Sequence, residues 1–309
     1  MAKITSELVV LAGAAHGRFA EGLARELGLD VGAYGAQRFP DDEMYVEVGA
    51  EVRGRHVVLV QPAAAPAAEH LVELLLLSDA CRRAGARAVS AVIPYLAYAR
   101  QEHRTRPGQS LSMRVIGDLI SQGEFERVYV VDLHSSAVEG FIGVPVEHVS
   151  AAPLLAQATR KFATKGSVVV APDLGAAKLA GEYARVLELP MAIVHKTRLS
   201  PREVAVVRVF GHVKGLKPII VDDMITTGGT IAATIKALEA EGAAGDVTVA
   251  ATHAIFADEA VERLHRGGVR RLLVTDTLPF ARAVPFPMET VTVAPLLAEA
   301  IRRNTGGVR

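Results

Sequence analysis

The sequence has no tryptophan, one cysteine and one asparagine. With Cys81 alone, no internal disulfide framework can form. The amino-terminal residues lack the apolar segment of a signal peptide, and the leucines at 74–77 form a run far too short to span a bilayer. These absences predict a cytoplasmic protein with no membrane partner.

The chain also lacks net charge, because 34 basic and 34 acidic residues cancel. Nucleic-acid-binding domains usually carry a basic field, so we expect no nucleic-acid partner. No G-x-x-x-x-G-K-[ST] loop is present, so a nucleotide would have to bind without a P-loop. No Cys or His spacing indicates a structural zinc site. A length of 309 residues, half of them apolar, suggests two domains.

Apolar β-branched runs alternate with helical periodicity, which predicts parallel sheets covered by helices. The predicted strands of the first half lie at 8–11, 44–48, 56–60, 88–93 and 128–131. After residue 153 the same rhythm begins again, with strands at 168–171, 191–194 and 219–221. We therefore expect a duplicated α/β fold, with a first domain at 1–148 and a second at 149–309.

The most informative segment is 218–230, with the sequence P-I-I-V-D-D-M-I-T-T-G-G-T. An apolar strand leads into Asp222 and Asp223, and a Gly-rich turn precedes helical periodicity at 231–238. Free N–H groups at the positive end of a helix suit a phosphate, and the carboxylates can accept hydrogen bonds from sugar hydroxyls. The segment predicts a sugar-phosphate site; the alternative is an ordinary strand-to-helix turn with two solvated carboxylates.

Three further segments leave their interpretation open. Phe39, between charged residues, indicates either a turn with one buried ring or an adenine pocket. The loop at 94–108 carries Arg100, Arg104 and Arg106 and is either a polyphosphate site or a solvated basic loop. His134 follows a predicted strand and is a capping residue, a core residue or a metal ligand.

Taken together, the chain resembles the phosphoribosyl-pyrophosphate (PRPP) synthetases, or ribose-phosphate pyrophosphokinases, along almost its whole length. The segments that carry the resemblance, in order, are F-P-D-D-E from Phe39, E-L-L-L-L-S-D-A-C-R-R-A-G-A from Glu73, I-P-Y-L-A-Y-A-R-Q from Ile93, V-D-L-H from Val131, A-P-D-L-G-A from Ala171, H-K-T-R from His195, and the 218–230 segment. Phosphoribosyltransferases share the last segment but not the others together. The K-T-R-L-S-P and P-G-Q-S-L-S runs look like those of archaeal-type members.

The resemblance implies an α/β fold of two tandem type I phosphoribosyltransferase-like domains, each a mainly parallel sheet flanked by helices. It implies transfer of the β,γ-diphosphoryl group of Mg-ATP to the 1-hydroxyl of ribose 5-phosphate, giving PRPP and AMP. The first domain would supply the adenine pocket and ATP loop, and the second the ribose 5-phosphate loop and catalytic loop. A pocket shared with a neighbouring subunit implies a homo-oligomer.

The implied roles follow the matched positions. The residues for ribose 5-phosphate are Asp222, Asp223, Thr226, Thr227, Gly228, Gly229 and Thr230. Those for ATP are Phe39, Asp41, Glu43, Arg100, Gln101 and Arg104. Mg²⁺ would be served by His134 and Asp173, directly or through water, and catalysis by Lys196 and Arg198.

Some positions depart from the common pattern. Thr226 replaces an acid, Ala137 replaces a Gln tied to the family's allosteric site, and the sequence stops at Arg309 without the usual tail. The last two departures, Ala137 and the missing tail, predict weak or absent allosteric inhibition by ADP and little dependence on phosphate. Two alternatives stay open, a phosphoribosyltransferase acting on a nucleobase and a non-catalytic regulatory subunit of the family.

Overall fold

The computed structural model of the protein describes residues 7–197 and 206–305, which divide into two compact units. The first unit contains residues 7–149, Thr277–Pro279 and 293–305. The second contains the described residues of 150–276 and Phe280–Thr292. The sequence assigned all of 149–309 to the second domain, whereas the last helix packs in the first unit.

The first unit is built on a six-stranded parallel sheet in the order β2-β1-β5-β6-β7-β8, with a separate antiparallel β3–β4 hairpin. The strands are β1 (Leu8–Ala12), β2 (Val31–Gly32), β3 (Tyr34–Arg38), β4 (Met44–Val48), β5 (His56–Val60), β6 (Ala88–Ile93), β7 (Arg127–Val131) and β8 (Val146–Val149). β1 and β5 are buried along their whole length, which explains their near-continuous apolar sequences.

Three helices of this unit lie between strands: α1 (Gly17–Leu27) follows β1, α2 (Ala67–Arg83) follows β5, and α3 (Ser112–Gln122) follows β6.

The prediction of β4 is confirmed, but the sequence analysis did not predict β3. Its polar, small-residue sequence, Y-G-A-Q-R, has neither apolar alternation nor β-branched residues. Pairing with β4, from Tyr34 opposite Val48 to Arg38 opposite Met44, supplies its order.

The second unit contains a seven-stranded sheet in the order β11-β10-β9-β12-β13-β14-β15, parallel except for the β10–β11 pair. The strands are β9 (Ser167–Ala171), β10 (Met191–Thr197), β11 (Val206–Phe210), β12 (Lys217–Ile225), β13 (Val247–Ala254), β14 (Val269–Thr275) and β15 (Met288–Val291). The helices are α4 (Ala152–Thr159), α5 (Ala177–Leu187), α6 (Gly229–Ala240) and α7 (Ala260–Arg266).

Six strands of the second sheet, all except β11, repeat the topology of the first sheet. The order β2-β1-β5-β6-β7-β8 corresponds strand for strand to β10-β9-β12-β13-β14-β15. The helices correspond as well. α1 follows β1 as α5 follows β9, and α2 follows β5 as α6 follows β12. The predicted duplicated α/β fold is confirmed.

The last helix, α8 (Ala294–Thr305), buries Leu297, Ala298 and Ile301 and packs against α1 in the first unit. Arg302 of α8 donates a hydrogen bond to the backbone carbonyl of Glu26 in α1. In the second unit α4 packs against α5 in the same way. Among the described residues, every helix is too short or too polar to cross a bilayer.

Candidate active site

The predicted sugar-phosphate segment lies at the carboxyl end of β12, which is longer than the sequence indicated. We expected the strand to end at residue 221, but it continues through Asp222 and Asp223 to Ile225. Backbone pairing with β13, with Asp222 opposite Ala251 and Ile225 opposite Ala254, extends it. The two carboxylates are therefore fixed by a central strand rather than carried by a loose turn.

The turn after β12 has the backbone of an anion site. Gly228 has φ 71° and precedes α6, which begins at Gly229. Within the described ranges, the backbone N–H groups of Thr227, Gly228 and Gly229 have no hydrogen-bond acceptor. Unsatisfied N–H groups at the positive end of a helix can bind a phosphate. Thr226 and Thr230 flank these groups.

The carboxylates at this edge influence one another. Burial, followed by the charge of Asp223 and a hydrogen bond with it, raises the pKa of Asp222 to about 8, and the charge of Asp173 adds to the effect. The backbone N–H of Asp223 donates to Oδ1 of Asp222 at 3.0 Å. In the absence of ligand, Asp222 therefore holds a proton near neutral pH, and a hydroxyl donor or a cation would favour its ionised form.

Asp173 lies in the loop after β9, the parallel neighbour of β12, so it shares the same sheet edge as Asp222. Its Oδ1 accepts a hydrogen bond from the N–H of Ala176 at 3.1 Å, and the side chain is otherwise exposed. Carboxylate oxygens are suitable ligands for Mg²⁺. Nevertheless, the described part of the chain contains no preformed cluster of three or more His, Cys, Asp or Glu side chains that could hold a metal ion.

Lys196, which was assigned to the predicted catalytic loop, lies in β10, a strand that also exceeds its predicted length. The strand runs through Lys196 to Thr197 because β11 pairs with it, Thr197 lying opposite Val206. Arg198 lies outside the described residues. The sequence analysis placed His195-Lys196-Thr197 beyond the strand because it did not predict β11.

In the first unit, Phe39, Asp41 and Glu43 lie at the tip of the β3–β4 hairpin. The turn is closed by hydrogen bonds from the N–H of Phe39 to the carbonyl of Glu43 and from the N–H of Asp42 to the carbonyl of Phe39, both 2.9 Å. The alternative of a turn with a buried ring is wrong, because the Phe39 side chain is 52% exposed. Its ring makes an edge contact with Tyr45, with ring centroids 5.9 Å apart. The hairpin thus presents one aromatic face beside exposed carboxylates.

Arg100, Gln101 and Arg104 are exposed in the loop between β6 and α3. Gln101 is tied to the start of α3, because its carbonyl accepts from the N–H of Met113 at 3.1 Å and its side-chain oxygen accepts from the Ser112 hydroxyl at 2.6 Å. The arginines of the loop are therefore held between two anchors, the end of β6 and the first turn of α3.

His134 is exposed in the loop after β7, and β7 is the parallel neighbour of β6. The fold thus brings the loops that carry His134 and Arg100 to the carboxyl edge of one sheet. The N–H of Leu133 donates to Nε2 of His148 at 3.1 Å, so Nδ1 of His148 is left to donate to Glu139 at 3.1 Å. This pair holds the loop next to His134.

Three side chains that shape these loops were missed by the sequence analysis: Glu73, His148 and Arg263. Glu73 is buried among the leucines of α2 and bonded to three other segments of the first unit. A lone acid inside an apolar run was a usable signal for it. His148 and Arg263 stand in ordinary polar patterns, and only the fold brings them to their loops.

Comparison with known proteins agrees with this arrangement. Residues 8–123 match the family described as the N-terminal domain of ribose phosphate pyrophosphokinase, and residues 149–285 match the phosphoribosyl transferase domain. The ribose-phosphate pyrophosphokinase of Nostoc sp. is 41% identical over 96% of this chain and 90% of its own length. Chloroplastic ribose-phosphate pyrophosphokinase 1 of Arabidopsis thaliana is 40% identical over 97% of this chain and 75% of its own length.

A solved structure shares the fold over nearly the same extent. The phosphoribosylpyrophosphate synthetase of Mycobacterium smegmatis superimposes with a TM-score of 0.87 at 38% identity, covering 96% of this chain and 98% of that one. Similarity to the archaeal-type branch stays a prediction. Matches of this identity and coverage establish that the chain belongs to the ribose-phosphate pyrophosphokinase family.

Proposed function

We propose that the protein is a ribose-phosphate diphosphokinase, which transfers the β,γ-diphosphoryl group of Mg-ATP to the 1-hydroxyl of ribose 5-phosphate. The observation that carries the proposal is the combination, in one unit, of unsatisfied N–H groups at the start of α6 and two carboxylates fixed at the end of β12. Family membership supplies the reaction.

The 5-phosphate of ribose 5-phosphate is assigned to the turn at 226–230. The N–H groups of Thr227, Gly228 and Gly229 would donate to the phosphate oxygens, assisted by the dipole of α6. Asp222 and Asp223 would accept hydrogen bonds from the ribose hydroxyls. Because these carboxylates sit on a central strand, they would hold the ribose hydroxyls at a defined distance from the phosphate turn.

The reaction requires little covalent chemistry from the protein. The 1-hydroxyl oxygen forms a bond to the β-phosphorus, the bond from that phosphorus to the bridging oxygen of the α-phosphate breaks, AMP leaves, and the hydroxyl proton passes to solvent. Positioning and charge stabilisation dominate such transfers. Lys196 and Arg198 are assigned to the β-phosphoryl oxygens, where charge is greatest in the transition state.

ATP is assigned to residues of the first unit. Phe39 would stack on the adenine, with Asp41 or Glu43 accepting from its amino group, and the exposure of the ring favours a partner outside its own chain. We therefore propose a homo-oligomer in which one subunit's hairpin completes a neighbour's site. Arg100, Gln101 and Arg104 would contact the polyphosphate, because guanidinium groups match phosphate oxygens.

Mg²⁺ fits the residues assigned to it, because Asp173 offers exposed carboxylate oxygen close enough to raise the pKa of Asp222. Asp173 and His134 would each serve magnesium ions, directly or through water, and the charge of these ions would offset that of the polyphosphate. A cation at this edge would also relieve the mutual repulsion of the carboxylates.

The test is AMP formation from ATP and magnesium, with and without ribose 5-phosphate. We expect AMP only when the sugar phosphate is present. A phosphoribosyltransferase would instead consume PRPP and a nucleobase without ATP, and a regulatory subunit would produce no AMP in either case. Either of those results would overturn the proposed reaction.

A further inference from the structure

The back of the phosphate turn rests on α7, a helix that the sequence analysis did not connect with the site. A Cβ atom built on Gly228 would lie 3.1 Å from Cγ of Leu264 and 3.2 Å from the carbonyl oxygen of Ala260. Leu264 and Ala260 are one helical turn apart, so a single face of α7 lies against the turn. The turn therefore packs directly against α7 on the side of Gly228.

Arg263 is on the same face of α7, and its guanidinium group extends to the turn residues on either side of Gly228. Its Nη1 donates a hydrogen bond to the backbone carbonyl of Thr227 at 2.9 Å, across 36 positions of sequence. The same nitrogen lies 4.0 Å from the position of a Cβ on Gly229. The guanidinium group is thus beside the first turn of α6, where the anion is assigned.

The carbonyl groups of the turn differ in how they are held. The carbonyls of Ile225, Thr226 and Gly228 accept from backbone N–H groups of Phe256, Ala257 and Ala232 at 3.1, 2.9 and 3.0 Å. In the described residues, the carbonyl of Thr227 differs from these three because it accepts from a side chain, that of Arg263.

The peptide that contains the Thr227 carbonyl also contains the N–H of Gly228. Fixing the carbonyl on the side of α7 fixes that N–H on the opposite side, because the peptide group is planar. A substitution at position 263 therefore changes the direction of the Gly228 N–H and leaves the backbone hydrogen bonds of the Ile225, Thr226 and Gly228 carbonyls in place.

We propose that Arg263 is a positioning residue for the sugar-phosphate turn: it holds the Thr227 peptide so that the Gly228 N–H faces the phosphate, and its charge strengthens the anion site. The inference rests on the proposed role of the turn in binding ribose 5-phosphate. It assigns to α7 a function in substrate affinity rather than in catalysis of the transfer step.

The experiment compares Arg263→Ala and Arg263→Lys with Arg266→Ala in the full-length protein. Arg266 is a matched control, because it is on the same helix, is 69% exposed and pairs with Glu259 at 3.4 Å without contacting the turn. Calorimetric titration with ribose 5-phosphate in the absence of ATP gives Kd. Steady-state AMP formation gives kcat and the KM of each substrate, and thermal unfolding reports on folding.

We expect Arg263→Ala to raise the Kd and KM for ribose 5-phosphate about tenfold, the scale of one lost charged hydrogen bond. The KM for ATP and the kcat at saturating sugar phosphate should change much less. Arg263→Lys should restore part of the affinity, and Arg266→Ala should match the wild type. If Arg263→Ala does not fold, the lysine variant, which keeps a donor, carries the comparison.

An unchanged Kd in folded Arg263→Ala, or an equal loss in Arg266→Ala, would overturn the inference. A proportional change in kcat and in both KM values would also overturn it, since that pattern indicates general damage to the fold. The proposed reaction fails separately, when the wild type binds ribose 5-phosphate but forms no AMP.

Discussion

Tyr34 donates a hydrogen bond from its hydroxyl to Oε1 of Glu73 at 3.0 Å, across 39 positions of sequence. Glu73 is only 1% exposed and also accepts from the N–H of Ala14 at 3.0 Å and from Nε2 of Gln61. Burial raises the pKa of Tyr34, and the charge of Glu73 raises it further. This carboxylate therefore joins β3, α2 and the loop after β1, and it fixes the base of the hairpin that carries Phe39.

Replacing Glu73 should loosen the hairpin. Glu73→Ala removes the acceptor of one buried hydrogen bond, from Gln61, and of two partly buried ones, from Ala14 and Tyr34. We therefore expect the free energy of unfolding to fall by about 2–4 kcal/mol. Tyr34→Phe removes one donor and should cost about 1 kcal/mol. Both variants should raise the KM for ATP more than that for ribose 5-phosphate, because the hairpin is assigned to adenine.

Urea unfolding and steady-state kinetics check this prediction, with Glu69→Gln as control. Glu69 pairs with Arg38 at an exposed position of the same helix, so its loss should cost less than about 1 kcal/mol. Equal stability losses in Glu69→Gln and Glu73→Ala would contradict the role given to the buried carboxylate.

The protonation of Asp222 should make the stability of the ligand-free protein depend on pH. Its pKa is raised from 3.8 to about 8, chiefly by burial and then by Asp223, so the folded state holds a proton that the unfolded chain releases. The contribution of Asp222 to the free energy of unfolding is fully present below pH 3.8, and it is lost as the pH rises through about 8. Asp222→Asn should remove this decline, and at pH 8 the variant should be the more stable protein.

Chemical unfolding with EDTA at several pH values measures the effect. Asp246→Asn is the control of opposite sign: despite burial, hydrogen bonds and charges from Lys217 and Arg271 lower the pKa of Asp246. That variant should lose stability above the unfolded pKa of Asp246, 3.8. Parallel pH curves for the wild type and Asp222→Asn would show that Asp222 is ionised in the folded protein. The same substitution should weaken ribose 5-phosphate binding.

Much of the fold could be predicted from the sequence, because a parallel sheet leaves a strong local signal. Strands such as β5 and β9 are apolar at nearly every position, and each is followed by helical periodicity. The turn at 226–230 was equally recognisable, because glycines and hydroxyl residues that directly follow two carboxylates are typical of a sugar-phosphate site. Each of these signals is contained in a segment of about a dozen consecutive residues or fewer.

The features that were missed depend on distant partners. β11 was not predicted, so β10 appeared to end before Lys196, and the pairing of β12 with β13 carried the strand past Asp223. The last helix was assigned to the second domain because it follows it in sequence, whereas its apolar face is covered by α1. Arg263 could not be linked to Thr227 before the fold was known.

The position of α8 predicts a local effect of shortening its core residues. Ile301 is fully buried, so Ile301→Ala should lower the free energy of unfolding by about 2–4 kcal/mol. Hydrogen exchange should increase in α1, which α8 covers, and not in α6 of the second unit. Glu299→Ala, which alters an exposed pair with Arg303, is the control. Increased exchange confined to the second unit would restore the assignment made from the sequence.

Lys196→Ala tests the catalytic assignment. A lost electrostatic contact to the transition state typically costs about a hundredfold or more in turnover, so we expect at least that decrease in kcat with the fold intact. Lys165→Ala is a suitable control. Lys165 precedes β9, the parallel neighbour of β10, so it lies at the amino edge of the sheet, whereas Lys196 is near the carboxyl edge. Turnover and far-ultraviolet circular dichroism of both variants provide the comparison. Near-normal turnover of Lys196→Ala would remove this residue from the mechanism.

The neighbouring glycines of the phosphate turn should respond differently to alanine. Gly228 has φ 71°, and its Cβ would press on Leu264 and Ala260, so Gly228→Ala should cost about 2 kcal/mol of stability and raise the KM for ribose 5-phosphate. Gly229 has room, since its Cβ would lie 3.6 Å from Oγ1 of Thr227. Gly229→Ala should therefore keep the stability of the wild type.

Thermal unfolding and calorimetric titration with ribose 5-phosphate separate two effects in this pair. If Gly229→Ala is as stable as the wild type but binds the sugar phosphate more weakly, the added methyl group obstructs the ligand itself. Equal affinity in Gly229→Ala would place the phosphate away from that N–H group. A Gly228→Ala protein with unchanged stability and affinity would contradict a turn held rigidly against α7, because a relaxed turn could accept the side chain without loss.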